Sequence, residues 1–512
     1  MRPSSTTLGL IAGLMLASPV LAAELTTNLP ADPAMLDPIT YSELVAGDVL
    51  TQIYESFTAI DAEGNVIPAL AESWEPLADN MGFRFHLRKG VKFHSGREFT
   101  AKDVKATLEQ LLIPENKGGL NAGYAELVAG ADKVKDGSTT ELSGVRIIDD
   151  YTVEISFDAP DVLFPLYPLY IFDSEVAAEA GPDWLTTVSA GTGPFKLDEW
   201  SRGQEVHLVA HEDYWRGAPE LDGVHFMIVP EMSTALSMYE TGELDVLRAD
   251  SSLNRQIFSD AGLKDQIMTS PTAQVRYVAM NPDHYAPFQD VKVREAVCIS
   301  YNQDEMIEGL YEGAGEAHYG AITPGVAGYS PDVAEIKYDP ERAKALLAEA
   351  GYPEGAGLPP LKLNDTANNK TEDLYMVSKW QAVGFPVELE VLERGAMLKG
   401  MNSQQIAFFP WGWSADYPDG LNFLLDLWYS KSPYNKGYSN PDYDALIEQA
   451  KQTADSEARY EIYHAAEKLL LDDWGMCPKP LRLQVLLVKP GVEGIRLTPF
   501  RMLPFEGVTK AE

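Results

Sequence analysis

Short strands alternate with well-capped helices along this chain, and this alternation is the strongest constraint on its fold. From Phe83 to Arg88, apolar and polar residues alternate with the period of two that is typical of a half-buried strand. Tyr151–Phe157 repeats the pattern. Between these strands, Thr100 and Asp103 have the spacing of a helix capping box, with Asp in place of the usual Glu or Gln. The sequence therefore predicts an α/β fold.

Further helix-start signals lie in the second half of the chain. Asp339 and Asn440 are each followed by Pro, which places a favoured N-cap residue before a favoured first helical residue. Gly351 stands where a left-handed C-terminal cap is expected, and another helix is predicted from about 457 to 471. Strands dominate 190–230 instead. We therefore expect at least two lobes and, from the length, either about three domains or one large lobed body.

The charge balance excludes one class of partners. Lys and Arg number 40 and Asp and Glu number 77, so the net charge is −37. Such a surface repels phosphate backbones and anionic lipids, and no nucleic-acid partner is expected. Two explanations of the acidic surplus stay open, namely solubility and the attraction of cationic ligands.

The first residues have the pattern of a secretory signal peptide. Arg2 supplies a basic start, and Leu8–Leu16 is an apolar stretch too short to span a bilayer. We predict a signal peptide over 1–22 with cleavage after Ala22, the bond after Ala23 being an alternative. A buried N-terminal helix is the other interpretation. The chain is accordingly expected to be exported.

Cys298 and Cys477 are the two cysteines of the chain. Disulfides persist in oxidising compartments, but the sequence does not show whether the two Cα atoms lie within about 7 Å of each other. A disulfide and two buried free thiols therefore remain alternatives. No His/Cys signature marks either residue as a nucleophile.

The sequence contains no recognisable catalytic or metal-binding motif. Phosphate-binding glycine loops, H-E-x-x-H, G-x-S-x-G and C-x-x-C are all absent. His207 and His211 lie in a predicted strand, where four residues span about 13 Å, too far apart to share one zinc ion. Asp416 and Asp419 could be paired carboxylates, but Asp in a Pro-containing turn is more typical of turn chemistry. We expect no enzyme, metal or cofactor, and an exported hydrolase remains an alternative.

Eight motifs, in a consistent order along the chain, resemble those of a known family. The most specific of them is FRFHLRKGVKFHSGREFTAKDV at 83–104. The others are AESWE at 71–75, GTGPFKLDEW at 191–200, YWRG at 214–217, TGELD at 241–245, VREA at 293–296, AKALLAEAGYP at 343–353 and ADYPDGLNF at 415–423. Together they make the chain similar to the extracellular solute-binding proteins of peptide-type ABC importers, family 5, which include dipeptide and oligopeptide binders.

This resemblance implies an architecture. The fold would be the two-lobed periplasmic-binding-protein fold, α/β and of the large type II-like form, with an extra small α/β domain. The implied boundaries are 23–58, 188–275 and 482–512 for lobe I, 59–187 for the small domain, and 276–481 for lobe II. Two segments near 276–279 and 483–486 would cross between the lobes and form a hinge.

The resemblance also implies a location and partners. The protein would be a periplasmic monomer, with a peptide or another small solute as its ligand. It would deliver that ligand to the permease subunits of an ABC transporter in the inner membrane.

Candidate ligand-binding residues follow from the same resemblance. In peptide binders of the family, an Asp in the matching loop binds the amino terminus of the peptide, which implies Asp416 here. A carboxylate is suited to this task because an ammonium group leaving water needs an opposite charge. Trp411, Trp413 and Tyr417 could form the pocket walls, and Glu55 matches a carboxylate position of the first lobe. The alternatives are an Asx turn for Asp416, core packing for the aromatic residues and a solvated helix position for Glu55.

Two positions depart from the family pattern. Gly420 stands where Pro is common, and Pro410 stands where some oligopeptide binders carry Arg. No cation can therefore be assigned to the carboxylate of a ligand, and the peptide length stays open. The sequence predicts an exported receptor that captures di- to oligopeptides. The alternative is a binder of a nickel chelate, an oligosaccharide or an opine on the same fold.

Overall fold

The computed structural model describes residues 23–41, 43–116, 121–180 and 189–511. The predicted signal peptide over 1–22 lies outside these residues. Within the described ranges, no helix combines the length and the apolar character that a membrane crossing requires.

The largest element is a mixed sheet of eight strands, called here the large sheet. Its strands lie in the spatial order Ile267–Pro271, Leu481–Val488, Val246–Ala249, Glu24–Leu29, Gly223–Ile228, Glu205–Ala210 and Phe195–Ser201, with Gly315–Glu316 beside Leu481–Val488. Glu24–Leu29 is parallel to both of its neighbours, and the other pairs are antiparallel. This strand is central, and its Leu25 and Leu29 side chains are fully buried.

A second, antiparallel sheet of four strands confirms the two strands that the alternation predicts. Its strands are, in spatial order, Ala71–Pro76, Gly82–Leu87, Thr152–Ser156 and Val145–Asp149. Phe83 and Phe85 point into the core. Arg84, between them in sequence, faces outward and pairs across the sheet with Glu154 at 2.6 Å. The period of two therefore separates a buried face from an ionic one.

The candidate site is built on a third sheet, called here the site sheet. It has the spatial order Phe408–Ser414, Gln274–Met280 and Cys477–Pro478. The remaining strand pairs are Leu361–Asp365 with Val387–Val391, Thr58–Ile60 with Val66–Pro68, and Val492–Glu493 with Thr509–Lys510.

Helices cover the sheets, and the predicted helix starts are confirmed. The Asp339 carboxylate accepts from the Arg342 backbone N–H at 2.8 Å, the Asn440 side chain accepts from Asp442 N at 2.9 Å, and Thr100 forms the predicted capping box. Gly351 follows its helix with a φ of 94°. The described helices are Leu44–Ile53, Ala101–Leu112, Ala122–Ala125, Ala131–Lys135, Ser174–Ala180, Met232–Thr241, Asn254–Ser259, Val291–Cys298, Gln303–Gly309, Pro340–Glu349, Lys370–Val383, Arg394–Asn402, Leu421–Phe423, Pro441–Gln452 and Ser456–Asp472.

The chain crosses between the large sheet and the site sheet through two short segments, in addition to the longer connections that lead to and from Gly315–Glu316. It leaves the large sheet at Pro271 and enters the site sheet at Gln274, and it returns between Pro478 and Leu481. Both crossings come a few residues before the segments that the family resemblance suggested. The lobe and domain boundaries themselves stay a prediction, and Gly315–Glu316 of the large sheet falls in the segment 276–481 that is expected to form lobe II.

A buried ionic cluster links the chain segments at these two crossings. Glu372 accepts from Arg276 at 3.0 Å and from Arg482 at 2.7 Å, and it also pairs with Lys479. Burial alone would raise the pKa of Glu372, but the three cations hold it well below the usual range. Arg276 and Arg482 lie in the strands that follow the two crossings, and Lys479 lies in the second crossing, so one carboxylate ties both places together.

Cys298 and Cys477 form a disulfide, with Cα atoms 5.0 Å apart. This decides between the two alternatives that the sequence left open. The bond joins the end of the helix Val291–Cys298 to a strand of the site sheet. It closes a long loop of the chain, and such a bond stabilises mainly by restricting the unfolded state.

Reduction of this disulfide should destabilise the protein. We expect the double variant Cys298→Ala/Cys477→Ala to lose about 2–5 kcal/mol of unfolding free energy, measured by denaturant titration. Treatment with reductant should lower the melting temperature of the wild type and leave that of the double variant unchanged. Equal unfolding free energies for the two proteins would contradict a structural role of the bond.

Candidate functional site

The candidate site is a loop that directly follows the strand Phe408–Ser414 of the site sheet. In that sheet, Ser414 lies opposite Gln274. The Gln274 side-chain amide donates to the Ser414 hydroxyl at 3.1 Å, and Ala415 N donates to Ala273 O at 2.7 Å. Asp416 comes directly after this anchored end of the strand, so its position is set by the sheet.

Asp419 fastens the other end of the loop to the helix Ser456–Asp472. Its fully buried carboxylate accepts from Arg459 at 3.2 Å, from the Tyr463 hydroxyl at 2.5 Å and from Leu421 N at 3.0 Å. Both oxygens of this carboxylate are thus hydrogen-bonded to groups of the protein itself. Asp419 is a structural anchor, and it does not form a carboxylate pair with Asp416.

Asn422 positions both Trp413 and Asp416. Its side-chain oxygen accepts from Trp413 Nε1 at 2.9 Å and from the backbone N–H of Asp416 at 3.2 Å, and the residue is fully buried. Sequence reasoning did not single out this residue. The available signal was its place in the ADYPDGLNF motif, but an asparagine in a motif does not reveal which two groups it joins.

The structure also explains why Gly420 departs from the family pattern. Its N–H donates to Ala327 O at 2.9 Å, a bond that a proline could not make. A Cβ atom at this position would lie 2.8 Å from the Ile322 side chain. The close approach of two segments therefore favours a residue here that keeps its N–H and has no bulky side chain.

Asp416 lines a cavity of 770 Å³, called here the acidic cavity. The cavity lies between this loop and the domain of the four-stranded sheet. Its aromatic walls are Tyr124, Tyr167, Trp413, Tyr417 and Tyr434. Its charged lining residues are Glu126, Asp158, Asp161, Asp416, Asp426 and Lys451. Five carboxylates therefore face one cation.

The Asp416 carboxylate has no cation at hydrogen-bonding distance. Among the described residues its side chain makes no hydrogen bond or ion pair, and it is half-buried. Burial raises the pKa of Asp416 to about 6. Burial, followed by the neighbouring charge of Asp416, raises the pKa of Asp426 to about 7. A bound cation would relieve both effects, because it stabilises the ionised form.

A π-helical turn places Asp426 in this cavity. The turn spans Leu424–Trp428 and directly follows the helical turn Leu421–Phe423. Such single turns are rare and occur frequently at functional sites. Sequence reasoning did not predict Asp426, because no local pattern distinguishes a π turn from an α turn.

Two of the predicted aromatic residues share the cavity with Asp416. The Trp413 ring lies 4.8 Å from the Tyr434 ring, and the buried Tyr417 ring lies 5.1 Å from the Tyr167 ring. Trp411 does not line this cavity. It packs half-buried against the main core, and its Nε1 has no acceptor within the part of the chain that the structure describes. Ligand contacts by these residues stay a prediction.

The structure does not bring Glu55 into the acidic cavity. The Glu55 carboxylate accepts from Thr192 Oγ1 at 2.8 Å and from Trp215 Nε1 at 2.9 Å, and it lies 3.0 Å from the Tyr214 hydroxyl. It follows the helix Leu44–Ile53 and lines a separate cavity of 150 Å³. Burial raises the pKa of Glu55. Its approach to a ligand amine stays a prediction.

The histidine spacing does not form a metal site. His207 lies in the predicted strand, with Nδ1 3.0 Å from Asp198, whereas His211 Nδ1 lies 3.1 Å from the Gly193 carbonyl. Across the described ranges no group of three or more His, Cys, Asp or Glu side chains could hold a metal ion.

Comparison with known proteins identifies the family. The profile of the bacterial extracellular solute-binding proteins, family 5 Middle, matches residues 65–436. The chain belongs to this family. Its relatives include the heme-binding protein A of Haemophilus influenzae, 30% identical, with 87% of this chain and 84% of that protein covered. The dipeptide-binding protein of Escherichia coli is also 30% identical, with 80% of this chain and 79% of that protein covered.

Solved structures of similar proteins confirm the two-lobed fold of the family. The unliganded open form of a periplasmic murein tripeptide-binding protein matches with a TM-score of 0.84 and 24% identity, covering 96% of this chain and 98% of that one. The DppA protein of Helicobacter pylori in complex with the peptide STSA matches with a TM-score of 0.73 and 25% identity, covering 96% and 99%.

The Asp416 carboxylate should destabilise the empty protein. Since its pKa is about 6 in the fold and the ordinary value for a solvated aspartate is 3.8, the folded state binds the proton more tightly than the unfolded state. The stability contributed by this group is therefore lost as the pH rises from about 4 to about 6. We expect Asp416→Asn to raise the unfolding free energy at pH 7.5 by up to about 3 kcal/mol.

The same comparison at pH 4.5 provides the sign test. There the gain from Asp416→Asn should shrink, because the wild-type carboxyl is already protonated in the fold. Asp158→Asn, at an exposed residue on the rim of the same cavity, is the matched control and should change little. A destabilised Asp416→Asn protein at pH 7.5 would show that the carboxylate has a structural partner.

Proposed function

We propose that the protein is an exported, periplasmic receptor that captures peptides for an ABC importer. The observation that carries this proposal is the half-buried carboxylate of Asp416, which lines the acidic cavity and has no cation paired with it among the described residues. The chain around it belongs to the family 5 solute-binding proteins. The amino terminus of a peptide is the group whose charge and size fit this arrangement. The relatives named as peptide-binding proteins support the same ligand class.

The chemistry of capture follows from the cavity. A peptide ammonium carries three donors, and both Asp416 and Asp426 can accept from it. A hydrogen bond to a charged group contributes about 1.5–3 kcal/mol. The rings of Trp413 and Tyr434 offer flat apolar surfaces that pack on peptide planes without selecting one side chain. The cavity therefore recognises the terminus of a peptide more strictly than its sequence.

The lobe arrangement supports capture by closure. Among the solved structures of similar proteins are an unliganded open form and a complex with the peptide STSA, from two different proteins. Ligand contacts to both lobes would favour the closed form, with rotation at the crossings near Thr272–Ala273 and Lys479–Pro480. The closed form would then dock on permease subunits in the inner membrane and release the ligand. No chemical step is needed.

The related heme-binding protein makes heme an alternative ligand to test. Heme carries two carboxylates, however, and five carboxylates in the acidic cavity repel them. A nickel chelate, an oligosaccharide and an opine are the other non-peptide alternatives. An exported hydrolase would require product to accumulate with time.

Native mass spectrometry of freshly purified protein should reveal a bound peptide. Sequencing of the released ligand identifies it, and calorimetry with synthetic peptides then measures the affinity. We expect trialanine to bind with a stoichiometry of one and without turnover. Both N-acetylation of the peptide and Asp416→Ala should weaken binding at least about tenfold, because each removes one partner of the ion pair.

The outcomes separate the ligand classes. A released sugar, chelate or heme would overturn the peptide assignment and leave the family assignment intact. Unchanged affinity in Asp416→Ala would remove this residue from the site. Hydrolysis of trialanine over hours, abolished by a single substitution, would support the enzyme instead.

A further inference from the structure

The Tyr214 hydroxyl lies between two carboxyl groups. Its oxygen is 3.0 Å from Glu55 Oε1 and 2.7 Å from Glu506 Oε2. A tyrosine hydroxyl carries one proton and can donate to only one of these oxygens. If both glutamates were ionised, the other contact would place the lone pairs of two oxygens against each other. One of the two carboxyl groups must therefore carry a proton of its own.

Glu506 has the surroundings of an ionised carboxylate. Its Oε1 pairs with Arg216 at 3.0 Å and with Arg496 at 3.4 Å. Two guanidinium groups stabilise the charged form of a carboxyl group. The Tyr214 hydroxyl therefore donates to Glu506, and the additional proton lies on Glu55.

The contacts of Glu55 fit a neutral carboxyl group. Its Oε2 accepts from Thr192 Oγ1 at 2.8 Å and from Trp215 Nε1 at 2.9 Å, whereas Trp215 Nε1 lies 3.2 Å from Oε1. A proton on Oε1 can then be donated to the Tyr214 oxygen. None of these partners is charged, and with this single proton every donor in the group has an acceptor.

The other ionisable groups around Glu55 allow this state. The cavity of 150 Å³ that Glu55 lines has the charged residues Asp61, Arg216, Arg496 and Glu506 and the phenols Tyr54, Tyr167, Tyr170 and Tyr214. The Arg216 charge favours ionisation, but burial opposes it more strongly, so the pKa of Glu55 is raised. Burial also raises the pKa of each of the four tyrosines, and they stay protonated.

Glu55 lies where three parts of the molecule meet, a place called here the Glu55 junction. Trp215 belongs to the large-sheet side, and the guanidinium carbon of Arg88, from the domain of the four-stranded sheet, lies 4.3 Å from the centre of its ring. The Glu55 backbone carbonyl accepts from Ile171 N at 2.9 Å. Glu506 brings in the C-terminal segment.

We infer that the proton of Glu55 holds the Glu55 junction together, so that the domain of the four-stranded sheet loosens from the large sheet when Glu55 ionises. An ionised Glu55 would face the ionised Glu506 across one hydroxyl group, and Tyr214 could bond to only one of them. The two charges would repel each other, and one carboxylate oxygen would lose its donor.

The junction should weaken as the pH rises. The pKa of Glu55 in the fold lies above its ordinary value of 4.5, so the folded state binds the proton more tightly than the unfolded state. The stability that this proton contributes is complete below about pH 4.5 and is lost as the pH rises through the raised pKa.

Infrared spectroscopy of Glu55→Gln tests the proton directly. Glutamine has nearly the shape of a protonated glutamic acid, and its amide can accept from Trp215 and donate to Tyr214. The difference between the wild-type and variant spectra at pH 7 should contain the C=O stretching band of a protonated carboxyl group. Loss of the bands of an ionised carboxylate instead would overturn the inference.

Glu63→Gln is the matched control, and Tyr214→Phe is a second variant. Glu63 is exposed and forms no ion pair within the described residues, so its difference spectrum should show an ionised carboxylate. If Glu55→Gln does not fold, Tyr214→Phe still decides, because the carboxyl group of Glu55 loses its acceptor and its band should move to higher frequency. An unmoved band would contradict a proton shared between Glu55 and Tyr214.

Melting temperatures and hydrogen exchange test the role of the proton at the junction. Because Glu55→Gln cannot ionise, its melting temperature should equal that of the wild type at pH 5 and exceed it by about 2 °C at pH 9. At pH 9, amide exchange over 86–90, 168–172 and 211–217 should be at least about threefold slower in Glu55→Gln than in the wild type. The helix Lys370–Val383, far away in sequence, serves as the reference that should not change.

Each remaining outcome decides one part of the inference. A protonated-carboxyl band together with equal exchange of the two proteins at pH 9 would leave the proton on Glu55 and refute its role at the junction. A gain in melting temperature that is as large at pH 5 as at pH 9 would refute that role too, because it would not depend on the ionisation of Glu55.

Discussion

Partial burial of an ionised carboxylate without a paired cation costs free energy, and the structure of the loop keeps Asp416 in this position despite that cost. The loop cannot relax toward solvent because Asp419 is locked to Arg459 and Tyr463 on one side. On the other side, Asn422 holds the Asp416 backbone. The stable ion pair and the unpaired carboxylate are thus three residues apart and have opposite roles. The first holds the loop in place, and under the proposed function the second would keep its charge available for the ligand.

The charge around the acidic cavity says more about the ligand than the net charge of the protein does. A net charge of −37 does not select a ligand, because most of it is spread over the surface. The acidic cavity concentrates part of this charge, since five carboxylates and one lysine line it. Under the proposed function, this local charge would attract the ammonium group of a peptide.

Local signals in the sequence predicted local structure well. The capping box at Thr100, the Asp339-Pro340 and Asn440-Pro441 helix starts and the alternating strand at 83–88 are all confirmed, because their physics involves residues within four positions of one another. The family resemblance supplied Asp416. The exact residues of the crossings could not be predicted from local signals, since strand registers are set by distant partners.

The environments of the charged residues could not be predicted in this way. Glu55 has partners at Thr192, Tyr214 and Trp215, which only the topology brings together. The Cys298–Cys477 pairing and the π turn at Asp426 are also results of tertiary packing. No sequence motif indicates any of these features, and each could be recognised only from the three-dimensional structure.

The central claim is that the Asp416 carboxylate meets the ammonium group of a ligand, and proton release on binding tests it most directly. At pH 6 about half of the empty protein carries a proton on Asp416. Calorimetry of trialanine binding in two buffers of different ionisation enthalpy should therefore detect release of roughly half a proton or more per peptide, and less in Asp416→Asn. Peptide binding without any proton release at pH 6 would contradict the account.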